Sequence, residues 1–168
     1  MNRIDRLSRC VVEYYAAYSV DIHDDIQHTQ EVVCYTEMIA SGEGFEAVDR
    51  EMQIAAAWLH DIGCPRSKEL YGNSLPQNQQ SVGREVTKEL LHSKGDLFGE
   101  SEIEWLSEVV GRHHQAGDVE SYNFRPLFEA DLIVNLLSSY HPRENAPMLY
   151  EKLMRTQTGR DIFRVVIK

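Results

Sequence analysis

Apolar residues recur every three or four positions along most of the chain, the spacing that places them on one face of an α-helix. The series Ile4, Leu7 and Val11 is the first example. Seven segments with this pattern predict helices at about 4–18, 21–40, 46–62, 79–93, 100–115, 126–139 and 147–155. The segment from Thr158 onward is compatible with a capped helix or a strand, and no other stretch alternates as a strand does. The pattern predicts an all-α fold, a compact bundle of six or more helices with residues 1–168 as one domain.

Glycine and proline residues mark the expected helix ends. Gly63 follows the apolar stretch that ends at Ile62, where a C-terminal capping glycine is expected, and Pro65 lies just beyond it. Residues 63–78 also contain Gly72 and Pro76, so they predict a long polar loop. A loop of this length can close over a binding site as a lid.

Charge and composition restrict the partners of the chain. Its 168 residues include 42% hydrophobic residues, enough for a sizeable core, and its net charge is −10. An acidic chain has no general attraction for nucleic acid or an anionic membrane, so we expect neither as a partner. Three cysteines without a CxxC pair are typical of a reducing compartment, and the charged first residues lack an apolar signal core. We therefore expect a cytoplasmic protein, and a homo-oligomer remains possible.

Polar groups stand inside two strongly apolar helical segments, and a further histidine lies in the middle of another predicted helix. His60-Asp61 closes the stretch from Ile54 to Ile62, His28 lies in the middle of the second predicted helix, and Asp131 lies between Leu127 and Leu136. Burying an imidazole or a carboxylate is costly unless a partner compensates its charge or hydrogen bonds. Two imidazoles and two carboxylates form a mixed nitrogen and oxygen site that suits Mn, Fe, Co, Ni or Zn.

Neighbouring residues extend this set. Asp24 is four residues before His28 on the same helical face, where it could hold the second ring nitrogen of that histidine. His113 and His114 end the fifth predicted helix and add imidazoles from another helix.

Structural explanations exist for each of these residues taken singly. A histidine on an apolar helix is usually a core residue with a satisfied hydrogen bond, and Asp131 could accept a buried salt bridge. The His113-His114 pair could be favoured by the dipole at a helix C-terminus. By the same reasoning the cluster Tyr14, Tyr15 and Tyr18 is expected in the core rather than at a substrate.

The order of a lone histidine, His-Asp and a late aspartate resembles the HD-domain metal-dependent phosphohydrolases. The stretch Leu59-His60-Asp61-Ile62-Gly63 carries the signature. Further stretches resemble a small bacterial branch of that superfamily: Tyr71-Gly72-Asn73-Ser74, Gln79-Gln80-Ser81-Val82-Gly83, Val110-Gly111-Arg112-His113-His114 and Glu129-Ala130-Asp131. The resemblance implies a helical fold and a metal ion held by His28, His60, Asp61 and Asp131.

Two departures from the family pattern bear on the site. Gln79 or Gln80 stands where many members with two metals carry a histidine, whereas His113 and His114 resemble the paired histidines of those members. We therefore expect one ion in preference to two. Cys64 replaces a lysine that many members have after the His-Asp signature. The cations that could hold phosphate in its place are Arg66, Lys68, Arg84 and Arg112.

The resemblance implies hydrolysis of a phosphate ester or anhydride of a small molecule, with a nucleotide or dinucleotide as the expected substrate. A divalent transition metal would activate water and neutralise phosphoryl oxygens. Asp61 is the expected proton acceptor, and His113 or His114 would protonate the leaving oxygen or bind phosphate. The alternative is a nucleotide-binding or sensor module that retains the metal site without turnover. Oxygen-dependent chemistry at a di-iron site is a third possibility, which Gln79 and Gln80 disfavour.

Overall fold

The computed structural model describes residues 2–167 of the chain. Within this range there are nine α-helices, two short 3-10 turns and no β-strand. The helices are α1 (Arg3–Tyr18), α2 (Ile22–Gly42), α3 (Ala47–Leu59), α4 (Cys64–Tyr71), α5 (Pro76–Ser93), α6 (Glu100–Val110), α7 (Arg125–Leu137), α8 (Ala146–Leu153) and α9 (Gln157–Val166). The prediction of an all-α bundle is confirmed, and the segment after Thr156 is a helix. Across residues 2–167, no helix combines the length and the apolar character needed to cross a bilayer.

The long helix α2 packs most extensively against α3 and α7. Helix α7 is apolar on almost all faces and is buried from Pro126 to Leu136. Three consecutive alanines in α3, Ala55 to Ala57, are fully buried. Helix α5 packs against α6 beside this core. The small side chains of α3 let neighbouring helices approach closely, so polar residues at its C-terminal end lie deep in the bundle.

The segment after α3 differs from its prediction. The helix ends at Leu59, and residues 60–63 form a turn that leads directly into α4. Residues 64–71 are helical, so the prediction of a loop over 63–78 is wrong, and only residues 72–75 connect α4 to α5. Pro65 and Pro76 lie in the first turns of these two helices, where a missing amide proton costs nothing. Pro65 and Pro76, which suggested a loop in the sequence, therefore mark the first turns of two helices.

Gly63 is required by packing rather than by helix capping. Its φ of −77° is an ordinary right-handed value, so the prediction of a left-handed capping glycine is wrong. A Cβ atom at this position would lie 2.3 Å from the carbonyl oxygen of Gln79 and 2.5 Å from the nitrogen of Gly83. The turn after α3 thus touches the backbone of α5 directly, and this contact holds residues 60 and 61 against the bundle.

A buried glutamate ties the end of the chain to the core. Glu129 of α7 is fully buried, and its carboxylate accepts hydrogen bonds from the backbone nitrogens of Arg155 (2.6 Å) and Thr156 (3.0 Å). The Thr156 hydroxyl also donates to it, at 2.5 Å. Thr156 in turn caps α9 by accepting from the nitrogen of Gly159. The cap of the last helix is therefore Thr156, two residues before the position that the sequence suggested.

The contact between Gly63 and α5 predicts a large effect of one methyl group. Gly63→Ala should lower the free energy of unfolding by about 3 kcal/mol, because the neighbouring atoms are backbone and cannot turn aside. Gly117→Ala is the matched control, since a Cβ atom there meets nothing within 4 Å. Urea unfolding followed by circular dichroism measures both. Equal stability of the two variants would show that the turn does not depend on this contact.

Candidate metal centre

Six of the side chains that the sequence singled out converge where four helices meet. They are His28 from α2, His60 and Asp61 from the turn after α3, His113 and His114 from the turn after α6, and Asp131 from α7. The fifth helix was expected to reach residue 115, but α6 ends at Val110. The two histidines are therefore carried on a turn, which points them inward from the end of α6.

Four of these side chains form one compact group. His28 Nε2 lies 3.2 Å from His60 Nε2, 3.5 Å from Asp61 Oδ2 and 3.4 Å from Asp131 Oδ1. His60 Nε2 lies 3.4 Å from Asp61 Oδ2 and 3.7 Å from Asp131 Oδ1. Ligand atoms about 2.1 Å from a central ion at tetrahedral angles are about 3.4 Å from each other. The four atoms thus have the mutual spacing of a coordination shell.

Backbone carbonyl groups orient two of the imidazole rings. Nδ1 of His60 lies 2.8 Å from the carbonyl oxygen of Ala57, and Nδ1 of His113 lies 2.8 Å from that of Val110. In both cases the carbonyl belongs to the residue three positions earlier, at the end of a helix that has no amide left to bind it. Each Nδ1 therefore carries a proton, and each Nε2 is free to bind a metal ion.

A side-chain amide fixes the carboxylate of Asp131 on α7. Nδ2 of Asn135 donates to Oδ1 of Asp131 at 2.9 Å, one helical turn away. Two backbone carbonyl groups and one side-chain amide thus orient the side chains of this cluster. Such partners hold a ligand in one orientation and so favour a preformed site.

A second group of potential ligands uses the other oxygen of Asp61. His113 Nε2 lies 3.5 Å from Asp61 Oδ1, and both atoms are buried without a hydrogen-bond partner in residues 2–167. Buried polar atoms without partners are rare, and a cation would satisfy both. His114 contributes less directly, because its Nε2 contacts the amide of Gln79 and its Nδ1 lies 3.9 Å from Asp131 Oδ2. The residues fit one ion with four ligands and a looser second position.

The charges of the group stabilise one another when no ion is bound. Burial alone would lower the pKa of His60, but the negative charges of Asp61 and Asp131 outweigh it and raise that pKa to about 9. Burial alone would raise the pKa of Asp61, yet the charge of His60 and the neighbouring His113 hold it well below its usual range. Both effects keep the carboxylates ionised, which is the form that binds a cation.

His114 has the opposite environment. Burial and the neighbouring charge of His113 lower the pKa of His114 to about 4, so its ring is neutral at physiological pH. His113 is buried, whereas a quarter of the His114 side chain is exposed and borders a cavity. The two adjacent histidines therefore differ in position, with His113 facing Asp61 and His114 facing the cavity.

The cavity that opens onto the ligand group has a volume of about 480 Å³. His28, Asp61, Asp131 and His114 form its floor and walls. Its lining also contains carboxylates of α2, among them Asp24, Asp25 and Glu31, and one lysine, Lys68. The volume is sufficient for a small organic molecule. The excess of carboxylates means that a cation is needed before an anion can bind there.

Lys68 is the one predicted phosphate-binding cation that borders the cavity. The other three, Arg66, Arg84 and Arg112, point away from it and pair with carboxylates. The pairs are Arg66 with Glu89 (2.7 Å), Arg84 with Glu108, and Arg112 with Glu108 (2.9 Å) and Asp118 (2.9 Å). The structure therefore does not bring these three arginines to the ligand group.

Asp24 does not hold His28 as the sequence suggested. Its carboxylate is largely exposed and lies 3.3 Å from Nδ1 of His23, the preceding residue. No hydrogen bond joins Asp24 to His28 in the part of the chain that the structure describes. The spacing of four residues puts both side chains on one face of α2, but Asp24 stands at the mouth of the cavity and His28 at its floor.

Three residues that border the cavity were not predicted from the sequence to lie there. Glu31 lies three residues after His28, and this helical spacing could have placed it at the cavity. Tyr15 and Tyr140 also border the cavity, from α1 and from the segment after α7. Neither lies on a helix that carries a ligand, so only the tertiary structure reveals their position.

Comparison with known proteins gives one family match. The family model described as HD domain matches residues 25–155, a range that includes all six clustered side chains and more than half of the chain. No curated protein and no solved structure matches the chain.

The geometry predicts which histidine is essential for metal retention. Wild-type protein purified without chelator should contain close to one Mn, Fe, Co, Ni or Zn ion per chain, and His28→Ala should lose it because one of four ligands is removed. His23→Ala is the matched control, since His23 is an exposed histidine on the same helix. Elemental mass spectrometry gives the count. Equal metal content in His28→Ala and wild type would contradict the four-ligand group.

Proposed function

Because the chain belongs to the HD-domain family, we propose that it is a metal-dependent phosphohydrolase that cleaves a phosphate ester or anhydride of a small molecule. The observation that carries the proposal is the group of four ligands, in which the Nε2 atoms of His28 and His60 lie 3.2 to 3.7 Å from each other and from the carboxylate oxygens, beside a cavity that three of the four border. A binding module without turnover has no need for such a spacing at the floor of an open cavity.

The donor set suits a divalent transition-metal ion, Mn, Fe, Co, Ni or Zn, with one ion in preference to two. When bound, such an ion lowers the pKa of water to about 7 and neutralises phosphoryl oxygens. His28, His60, Asp61 and Asp131 would hold it. The second group, formed by Asp61, His113 and His114, would bind a further ion less tightly, because His114 is also in contact with the amide of Gln79.

The remaining chemistry is assigned to side chains that reach the cavity. Asp61 would accept the proton of the attacking water at Oδ1, the oxygen that has no hydrogen-bond partner. His114 borders the cavity and would contact the leaving oxygen or a phosphoryl oxygen through its ring nitrogens. His113 is buried behind Asp61, and its free Nε2 makes it a ligand or an orienting group rather than a proton donor to substrate.

A nucleotide is the proposed substrate class, and a dinucleotide is its larger variant. The ring of Tyr140 borders the cavity mouth and is mostly exposed, as expected of an aromatic platform for a base. Ser139, just before it, has a φ of +63°, an uncommon value for a residue with a side chain, which turns the chain at this point. The acidic lining disfavours nucleic acid, and a small phosphorylated molecule would bind there beside the metal ion.

The proposal predicts separate effects on turnover and on metal content. His114→Ala should reduce kcat by about a hundredfold while leaving the metal content unchanged, since loss of one positioned hydrogen bond to the transition state costs roughly that factor. A panel of nucleotides and simple phosphate esters, assayed with the metal found in the protein, gives the rates. Bound metal without cleavage of any phosphoester would instead favour the nucleotide-binding or sensor module. Loss of metal in His114→Ala would make His114 a ligand.

The position of Lys68 predicts a difference between two neighbouring cations of α4. Lys68→Ala should raise KM for a phosphorylated substrate about tenfold, because it removes the one lysine or arginine that borders the cavity among residues 2–167. Arg66→Ala is the control, since Arg66 pairs with Glu89 outside the cavity. Steady-state kinetics distinguishes them. An equal rise in KM for both variants would indicate a long-range charge effect instead of a contact.

A further inference from the structure

Tyr15 combines complete burial with a hydroxyl group that has no partner. The residue lies in α1 with 0% of its surface exposed, as expected of a core tyrosine. Its hydroxyl is nevertheless among the buried polar atoms that form no hydrogen bond in residues 2–167. The side chain also borders the cavity of the metal centre. A buried hydroxyl without a partner costs about 1–3 kcal/mol, so its position calls for an explanation.

The groups around this hydroxyl do not use its proton. Thr29 lies near it, but the Thr29 hydroxyl donates to the backbone oxygen of Asp25 at 2.8 Å and has no hydrogen bond of acceptable geometry with Tyr15. Oδ1 of Asp61 is itself without a partner, so the two do not bond to each other. A tyrosine hydroxyl is protonated at neutral pH, so it can act as a hydrogen-bond donor.

A metal ion alone would leave Tyr15 unsatisfied. An ion accepts electron pairs, so an ion at the looser second position would satisfy Asp61 Oδ1 and His113 Nε2, which are both lone-pair donors. An O–H group needs an acceptor instead. The missing partner of Tyr15 is therefore an oxygen atom of a ligand that occupies the same cavity as the ion.

Two amides of the lining are already engaged. The amide of Asn135 donates to Asp131 Oδ1, and the amide of Gln79 contacts His114 Nε2. Lys68 is partly exposed and lies 4.0 Å from Asp21. Tyr15 thus has a buried proton available in a lining that is otherwise rich in acceptors.

We propose that Tyr15 donates a hydrogen bond to a phosphoryl oxygen of the substrate at the metal centre, and so selects for a phosphoryl group. The inference rests on the proposed function. A neutral donor suits this position, because it binds an oxyanion without adding a charge that the nearby carboxylates would attract. Hydrogen bonds to a charged oxygen in a water-poor site are among the stronger ones.

Tyr15→Phe tests the proposal, with Tyr14→Phe as matched control. Tyr14 is the adjacent tyrosine, half-buried, and its ring packs on Tyr18 with centroids 4.8 Å apart, outside the cavity lining. Binding of inorganic phosphate to the metal-loaded protein is measured by isothermal titration calorimetry. Metal content and thermal unfolding of the metal-free protein are measured on the same preparations.

The expected result is specific to phosphate. Tyr15→Phe should weaken phosphate binding about tenfold and lower kcat/KM by a similar factor, with metal content unchanged. Its melting temperature without metal should equal or exceed that of wild type, because the change removes an unsatisfied hydroxyl. Tyr14→Phe should bind phosphate as wild type does.

Two results would overturn the proposal while leaving the proposed function intact. Phosphate affinity within twofold of wild type would show that the hydroxyl does not contact phosphate. A lower melting temperature of metal-free Tyr15→Phe would show that the hydroxyl has a partner within the fold. Wild-type protein that binds metal but neither binds phosphate nor cleaves a phosphoester would refute the proposed function, and this inference with it.

Discussion

Buried charge is the constraint around which this bundle is arranged. Asp61 and Asp131 lie in the interior beside His28, His60 and His113, in a protein whose other interior residues are mostly apolar. Carboxylates in such surroundings are stable only with compensating positive charge. In the protein without an ion, protonated histidine provides it, as the pKa of about 9 for His60 shows. The same arrangement is what a divalent cation requires, so the ligand atoms are already in place before one binds.

The backbone holds this arrangement through contacts at helix ends. The carbonyl groups of Ala57 and Val110, which their helices leave free, fix the rings of His60 and His113. Gly63 lets the turn that carries Asp61 touch the backbone of Gly83 in α5. None of these contacts depends on a long flexible side chain. The site is therefore coupled to the packing of α3, α5 and α6, and its geometry is as rigid as the core.

The charges that line the cavity act in opposite directions on a metal ion and on a phosphate group. Carboxylates dominate its lining, which favours cations and opposes anions. Two groups of the lining can favour binding of a phosphoryl group, the amine of Lys68 and the hydroxyl of Tyr15. The remaining attraction for an anion must come from a bound ion, because Arg66, Arg84 and Arg112 are engaged with Glu89, Glu108 and Asp118 outside the cavity. Metal and substrate binding are thus expected to be ordered, the ion first.

The sequence by itself determined the helical class, most helix positions and the polar residues of the apolar segments, because periodicity and the cost of burying charge are local properties. It suggested Asp131 and His60 as partners although 71 positions separate them along the chain. It could not place the arginines, since a surface cation and a substrate-binding cation look alike until their neighbours are known. It also assigned Tyr15 to the core, which is correct for the ring and incomplete for the hydroxyl. Contacts between different helices decide such cases: Arg66 and Arg84 pair with carboxylates of neighbouring helices, and Tyr15 of α1 borders the cavity only when the helices have packed together.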